Sequence, residues 1–498
     1  MIALPPGERA RVDEWLLATP APIDPAWLGS QRWFGGKARP IDCARVADVV
    51  WIGIEPRRCA LIVLDVHYGG DTIRGDPVER YALLAGVDDT LGDSLIGRLP
   101  WPPGLVMIEA ATHADAIGDL LGALALDAHH HGARGGELRR ADVTAATRHL
   151  AREPAGPVAI RAVGLEQSNT SVRVDQEYVF KLIRRLQPGE HPQLEVGRFL
   201  SRAGFHWVPP LHGSLIYRAP DGGDYAVGVL EGWVDNAGDG WSYVVTSLDS
   251  ALRDGASLMS LAASLGTLGA ITAELHVALA SGSEDAFAAE VVTQDDVQHW
   301  GDTVHAHAAR LMQIIATDHT RWPPPASALG RAVIELRDRL APRVEALVAS
   351  CDPHSVRKIR IHGDYHLGQT LKTAGGFTLI DFEGEPAKPL AERRRKHCAL
   401  KDVAGLLRSL DYAAATVAAG RTVPAETGRG LRTAFLDGYY ADPRLATFLP
   451  RVREAGADLL SLFELEKALY EIEYELNNRP DWLHIPLGAV RRYLDAPA

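Results

Sequence analysis

The segment IRIHGDYHLGQTLKTAGGFTLIDFEGEP, residues 359–386, holds the chain's densest set of chemistry-bearing residues. A short alternating strand, Lys358 to Ile361, delivers His362-Gly363-Asp364 into a loop, and Gln369 follows five residues after Asp364. A hairpin turn at Gly375-Gly376 leads the strand Phe377 to Ile380 into Asp381. Two carboxylates at the ends of paired strands, with an amide nearby, suit phosphoryl transfer. One carboxylate orients an attacking hydroxyl and accepts its proton; the other, with the amide, holds magnesium against the phosphates. The plainer alternative is a pair of aspartates capping turns, which fits a lone Asp better than this ordered set. Upstream, Lys181 lies mid-strand among apolar residues in YVFKLIRRL, and Glu195 follows 14 residues later on a helix signal. A buried strand lysine that clamps nucleotide phosphates and is held by a helix glutamate is the matching arrangement.

The elements that must position these groups fall in a clear order. An amphipathic helix (Glu8 to Leu17) precedes strand-like runs at Ala44 to Ile54, Ala60 to Tyr68 and Arg80 to Leu84. Between them, QRWFGGKARP (Gln31 to Pro40) is either a glycine-rich phosphate cradle or a tight turn held by buried aromatics. No strand–loop–helix pattern surrounds it, which favours the turn. Small-residue helical periodicity covers Ala110 to Leu126, then the run His129, His130, His131 reads as an exposed loop, since three consecutive side chains cannot face one metal. From Val158 a β-hairpin pattern runs through the turn Glu166 to Ser171 and the strands Val172 to Val174 and Tyr178 to Leu186. A helix follows, then strands near Tyr217 and at Tyr225 to Leu230, and the polar connector EGWVDNAGDGW. Beyond Ala251 the chain reads as helix except around residues 358–383. The order is a small β-lobe, a linker and a large helical lobe.

Composition narrows the partners. Across 498 residues, 52 basic and 64 acidic side chains give a net charge of −12, which makes general binding of nucleic acid or anionic membrane unfavourable. Cys43, Cys59, Cys351 and Cys398 have no C-x-x-C spacing and indicate neither a disulfide framework nor a zinc site. The N-terminus lacks an apolar signal core and no 18-residue apolar run is evident, so a cytoplasmic location is expected.

One helical stretch suits a sugar. Lys467, Tyr470, Glu471 and Tyr474 fall at i, i+3, i+4 and i+7, on one face. Aromatic planes cover the C–H faces of a sugar and charged groups bond its hydroxyls; the alternative is a solvated face with an intrahelical Lys467–Glu471 pair. Trp482 follows in the same segment.

Several segments together resemble a known family: QRWFGGKAR, HGDYHLGQ (362–369), DFEGEP (381–386), DVAGLLRSLDYAA (402–414), EKALYEIEYE (466–475) and NRPDWLHIPL (478–487). They are similar to the aminoglycoside and choline kinase branch of the eukaryotic-protein-kinase-like superfamily, and within it to the maltokinases. The resemblance implies an α+β, bilobal protein-kinase-like fold: a cap subdomain (1–100), a β-rich intermediate subdomain (101–234) and a mainly helical C-terminal lobe (235–498). It implies ATP and Mg2+ bound between the lobes, and phosphorylation of maltose at its 1-hydroxyl. Asp364 would be the catalytic base and Asp381 and Gln369 the metal ligands. Lys181, Glu195, Ser168, Asn169, Thr170, Glu231 and Trp233 would serve the nucleotide, the last two from the hinge Val229 to Val234. Lys467, Tyr470, Glu471, Tyr474 and Trp482 would line the sugar site. Asp402 is expected either to hold the backbone of the catalytic loop or to cap its own helix. The same resemblance suggests a monomer or homodimer, a place in α-glucan synthesis and an association with a trehalose synthase. The rivals are another acceptor on the same fold (glucosamine, another amino sugar, an aminoglycoside or choline) and a non-catalytic binding protein.

Overall fold

The computed structural model describes residues 1–498 apart from 38, 54, 56, 70–77, 91–94, 100–103, 127, 146, 148–149, 151–158, 164–167, 255–257, 387, 419–423, 451–452 and 496–498. Two compact units emerge: Met1–Ser201 with Pro209–Trp233, and Arg202–Val208 with Val234–Ala498.

The first unit opens with α1 (Pro6–Ala18) and α2 (Pro25–Ser30), then β1 (Ile41–Ile52), β2 (Cys59–Tyr68), β3 (Val78–Asp88), β4 (Leu95–Arg98) and β5 (Val106–Glu109). These strands form an antiparallel sheet in the order β1-β2-β3-β5-β4. After α3 (Ala114–Ala125) a second sheet follows from β6 (His130–His131), β7 (Glu137–Ala141), β8 (Ile160–Ala162), β9 (Asn169–Val174) and β10 (Tyr178–Ile183). The short β11 (Arg185–Leu186) returns to pair with β3 of the first sheet. Then come α4 (Pro192–Ala203), β12 (Leu211–Arg218) and β13 (Asp224–Gly232), and the second sheet runs β6-β7-β12-β13-β10-β9-β8.

The apolar runs of β2 and β3 are buried on both faces. Ile62, Leu64, Leu83 and Val87 meet Leu16, Leu28, Trp33 and Phe34 on one side. On the other side Leu61, Val63 and Leu84 share one core with Leu120 and Leu124 of α3 and with Val172, Phe180, Leu215 and Val227 of the second sheet. Strands buried on both faces lose the polar alternation of a half-solvated strand. The cap strands and the intermediate sheet therefore stand or fall together.

QRWFGGKAR is a tight turn held by aromatics. Trp33 and Phe34 lie against Tyr81, with ring centroids 6.0 and 5.1 Å apart. A Cβ on Gly36 would sit 2.1 Å from the Tyr68 hydroxyl, so the turn needs glycine there. Glu79 accepts from the Tyr68 and Tyr81 hydroxyls at 2.7 Å each and pairs with Arg39 and Arg185 at 3.2 and 2.8 Å. The histidine run departs from the expected exposed loop in part: His129 and His131 are exposed, while His130 and His131 form a short strand and His130 is buried. His129 bonds Glu137 at 2.6 Å, but His130 pairs with Leu138 in β6–β7 and is 3% exposed. Burial pushes its imidazole down to about 4, so it is neutral.

The second unit is mainly helical: α5 (Gly240–Asp254), α6 (Met259–Leu279), α7 (Gln294–Asp318), α8 (Pro324–Glu335), α9 (Leu340–Ala349), α10 (Leu390–Arg393), α11 (Leu400–Ala418), α12 (Ala425–Tyr440), α13 (Ala457–Asn478) and α14 (His484–Asp495). It also holds the short pair β14 (Glu290–Val291) with β15 (Arg357–Lys358), and the hairpin β16 (Thr370–Thr373) with β17 (Gly376–Leu379). Helix α6 is long and apolar enough by composition to cross a membrane, and half of its apolar window is buried within the unit. It packs along α12 at close range: a Cβ on Gly438 would lie 2.0 Å from the Gly266 carbonyl oxygen.

Candidate active site

The helical unit brings the candidate site residues Asp364, Gln369 and Asp381 together from one loop, one hairpin and three helices. Asp402, in the first turn of α11, accepts the backbone N–H of His362 at 2.7 Å and of Gly363 at 3.0 Å. It thus holds the backbone of the loop that carries Asp364. Fully buried His276 of α6 touches the same carboxylate at 3.1 Å and the Tyr439 hydroxyl at 2.9 Å. Burial alone would raise the Asp402 pKa; His276 and the loop N–H groups outweigh it and hold the carboxyl below its usual range. The His362 ring then reaches the Ile380 carbonyl at 2.9 Å, tying the loop to the strand end that carries Asp381.

Asp381 has φ +67, a left-handed conformation rare for a residue with a Cβ. Such strain is kept where the surroundings over-determine it, typically at functional positions. Gln369 donates from Nε2 to the Asp381 carboxylate at 3.0 Å, and the Ile380 N–H donates to the Gln369 carbonyl at 3.0 Å. The hairpin register Thr370 opposite Leu379 brings the two residues together.

Asp364 lies beside α13. Its side chain is 22% exposed, with Lys467 Nζ at 3.5 Å and His366 Nε2 at 3.9 Å. Lys467 also lies 3.7 Å from Glu385 and 4.7 Å from the Tyr470 ring centre. Lys388 completes the group, 2.7 Å from Glu385. Burial disfavours charge on Lys467, but Asp364 and Glu385 overcome it and hold the ammonium above the ordinary lysine range. Burial likewise opposes the Glu385 carboxylate, and the two lysines keep its pKa low.

From Tyr470 a row of planes continues. Tyr470 stacks on Tyr474 with centroids 6.5 Å apart. Arg479 covers Tyr474 at 5.3 Å and Trp482 at 4.7 Å. Trp482 in turn faces Tyr412 at 6.1 Å and Trp241 at 6.4 Å. Glu471 lies off this row, inside the unit. It accepts from Arg408 Nε and Nη2 at 3.0 and 2.6 Å, and Arg408, fully buried, also meets Asp411 at 2.9 Å. Glu471 thus serves as an internal strut for α13 against α11.

The first unit arranges the residues expected to serve the nucleotide. Lys181 on β10 and Glu195 on α4 are both buried, at 5% and 8% exposure. Lys181 Nζ is 3.4 Å from the Gln193 side-chain oxygen, and Gln193 donates to Glu231 at 2.9 Å. Gln193 is a buried amide the sequence did not single out. Asn169 accepts the Arg184 N–H at 3.2 Å and Thr170 accepts from Arg184 Nε at 2.9 Å. Arg184 also pairs with Glu109 at 3.0 Å and lies 4.6 Å from the Trp33 ring centre. Asn169 and Thr170 therefore direct these side-chain oxygens to an internal arginine. Ser168 Oγ lies 3.4 Å from the Asn169 amide nitrogen; Glu166 and Gln167 of the expected turn lie outside the described residues. In the hinge stretch the Trp233 N–H donates to the Glu177 carbonyl at 2.7 Å, and Arg173 covers the indole at 3.8 Å.

Two oxygen donors, the Asp381 carboxylate and the Gln369 amide carbonyl, fit a small hard cation that takes one or two protein ligands and completes its shell with phosphates and water. In the structure Gln369 turns its amide nitrogen to the Asp381 carboxylate, so the side-chain amide would turn over to offer its oxygen to such a cation. Among the described residues, no group of three or more His, Cys, Asp or Glu side chains is placed to hold a metal alone.

Comparison with known proteins bears on the family and the fold. Residues 27–130 match the maltokinase N-terminal cap domain and residues 159–384 the phosphotransferase enzyme family. A glucosamine kinase of Mycolicibacterium smegmatis is 30% identical over 341 residues, 67% of this chain and 79% of that protein. A glucosamine kinase of Streptacidiphilus jiangxiensis is 28% identical over 344 residues, 66% and 71% of the two chains. A solved structure described as glucosamine kinase in complex with glucosamine, ADP and inorganic phosphate superposes with a TM-score of 0.63 at 22% identity, covering 99% of each chain, which establishes the likeness in fold. Matched over its cap and over residues 159–384, and 30% identical to a relative of which it covers 79%, the chain belongs to the phosphotransferase enzyme family, in the kinase-like branch that carries a maltokinase N-terminal cap domain.

Proposed function

We propose that this sugar kinase transfers the γ-phosphoryl group of ATP to the anomeric hydroxyl of maltose, giving maltose 1-phosphate and ADP. The observation that carries the reading is the placement of Asp364 at the head of the Tyr470–Tyr474–Arg479–Trp482 row. A carboxylate for a hydroxyl thus adjoins a run of planes longer than one sugar ring needs. The match of residues 27–130 to the maltokinase cap supports the same acceptor. The names of the two curated relatives support a second reading, glucosamine as acceptor on the same fold.

In the proposed reaction Asp364 takes the proton of the 1-hydroxyl as that oxygen bonds the γ-phosphorus and the bond from phosphorus to the ADP oxygen breaks. Little covalent chemistry falls to the protein, so positioning dominates. Asp402 fixes the backbone at His362 and Gly363, and with it the aim of Asp364. Asp381 and Gln369 would hold magnesium, which when bound supplies positive charge against the phosphate oxygens. Lys181, a buried ammonium on β10 near Gln193 of α4, is suited to bind a nucleotide phosphate.

Tyr474→Ala tests the acceptor assignment. The maltose KM should rise roughly tenfold or more from loss of a stacking plane, and the ATP KM should change less than twofold. Equal changes in both constants, in steady-state kinetics with each substrate varied, would move the sugar site elsewhere.

A further inference from the structure

We propose that Lys467 sets the charge class of the acceptor: it stands as a built-in ammonium where a cationic acceptor would have to place its own, and so reserves the site for neutral sugars. The inference rests on α13 being the acceptor helix.

Two kinds of group attract an ammonium in a protein site, carboxylates and aromatic faces. Beside Asp364, Lys467 meets two such carboxylates and one such face: Asp364 itself at 3.5 Å, Glu385 at 3.7 Å and the Tyr470 ring at 4.7 Å. Glu385 is paired a second time by Lys388. The two carboxylates Asp364 and Glu385 are thus matched by the two ammonium groups of Lys467 and Lys388. Further along the helix Glu471 is committed to Arg408 and Glu475 to Arg479, and the Arg479 guanidinium, 5.3 Å from the Tyr474 ring centre, adds a further positive charge beside that ring. An amino sugar or a choline-like acceptor entering beside Asp364 would bring a positive charge next to Lys467 and find these carboxylates already matched. A neutral hydroxyl meets no such repulsion, and both Lys467 and the carboxylates can bond it. Specificity of this sort comes from a repulsive element as much as from an attractive one.

Removing the ammonium should therefore change which acceptor is favoured. Lys467→Met keeps the apolar stem and deletes the charge; Lys467→Gln is the second variant, and thermal unfolding with nucleotide binding checks that each is folded. Binding of maltose, glucose and glucosamine to wild type and variants is measured by saturation-transfer NMR competition, alongside ADP release. In the wild type, glucose should bind more tightly than glucosamine. In either variant, the glucosamine-to-glucose affinity ratio should rise roughly tenfold to hundredfold, while maltose binding weakens. A wild-type preference for glucosamine over glucose, or a ratio unmoved in a folded variant, overturns the proposal. The Tyr474→Ala protein separates the two claims. If Tyr474→Ala weakens maltose and the Lys467 variants leave the ratio fixed, the charge rule alone fails. If Tyr474→Ala affects no sugar, the acceptor helix is misassigned and both fall. The wild-type comparison stands even if neither Lys467 variant folds.

Discussion

Asp364→Asn should lower kcat by about 10²–10⁴-fold with the protein still folded, and Asp381→Ala should lower it at least as far. The first substitution removes the proton acceptor for the attacking hydroxyl while keeping its shape. The second removes the one carboxylate that Gln369 and a left-handed backbone are arranged to present. Neither should unfold the chain. Asp364 is 22% exposed and touches only Lys467 and His366 at ion-pair range, 3.5 and 3.9 Å, so its loss strands no fully buried charge. Steady-state kinetics with thermal unfolding of the same preparations checks both parts. Near-wild-type turnover in either variant would remove that residue from the reacting centre.

The second large effect is on stability and lies behind α13, the proposed acceptor helix. Arg408→Met should destabilise the protein by about 3–5 kcal/mol, the range for leaving one member of a buried ion pair without its partner. Arg408 is fully exposed to protein and not to solvent, and its Nη2 lies 2.6 Å from Glu471. Asp411 would keep Arg432 and Arg492, at 3.4 and 3.1 Å, so Glu471 is the group left stranded. Replacing both members, Arg408→Met with Glu471→Leu, should recover most of the loss, because an apolar pair of similar volume leaves no buried charge. The pH dependence has a definite sign. Burial already raises the Glu471 pKa despite Arg408. In the single variant the folded state should bind that proton more tightly still than the unfolded chain. The deficit should then be smallest at low pH, where Glu471 is protonated in both folded proteins, and grow as pH rises above the wild-type folded value, itself above the unfolded value of about 4.3. Denaturant unfolding of the three proteins across pH 4 to 8 measures this. A single variant as stable as wild type at neutral pH would show that Glu471 has another partner.

What could be read from the sequence was what local spacing encodes. HGD, a glutamine five residues on, and an aspartate at the end of a two-strand hairpin define their own geometry, and the structure brings Gln369 and Asp381 to 3.0 Å. A lysine in an apolar strand announces a buried charge, and Lys181 is 5% exposed. The i, i+3, i+4, i+7 spacing put Lys467, Tyr470, Glu471 and Tyr474 on one face, yet a helical face is wide enough for its members to part ways. Lys467 and Tyr470 turn to Asp364, whereas Glu471 turns inward to an arginine on α11, a pairing no local pattern reveals. Asn169 and Thr170 had the composition of a nucleotide-facing turn; what they meet is Arg184, whose contacts reach Glu109 and Trp33 of the cap region. Long-range partners of charged residues are set by tertiary packing, and that is where the sequence alone was silent. The same holds for β11, two residues that leave one sheet to join the other.

The central claim, phosphorylation of a neutral sugar at its anomeric hydroxyl, is tested most directly by acceptor-dependent ADP release. The purified protein is incubated with ATP, magnesium and, in turn, maltose, glucose, glucosamine, kanamycin and choline, and the product's phosphate is located by phosphorus NMR. Maltose should give the greatest ADP release, with the new phosphorus signal coupled to the anomeric proton. Release driven by glucosamine, kanamycin or choline in preference to maltose, or a phosphate on any carbon but the anomeric one, would contradict it.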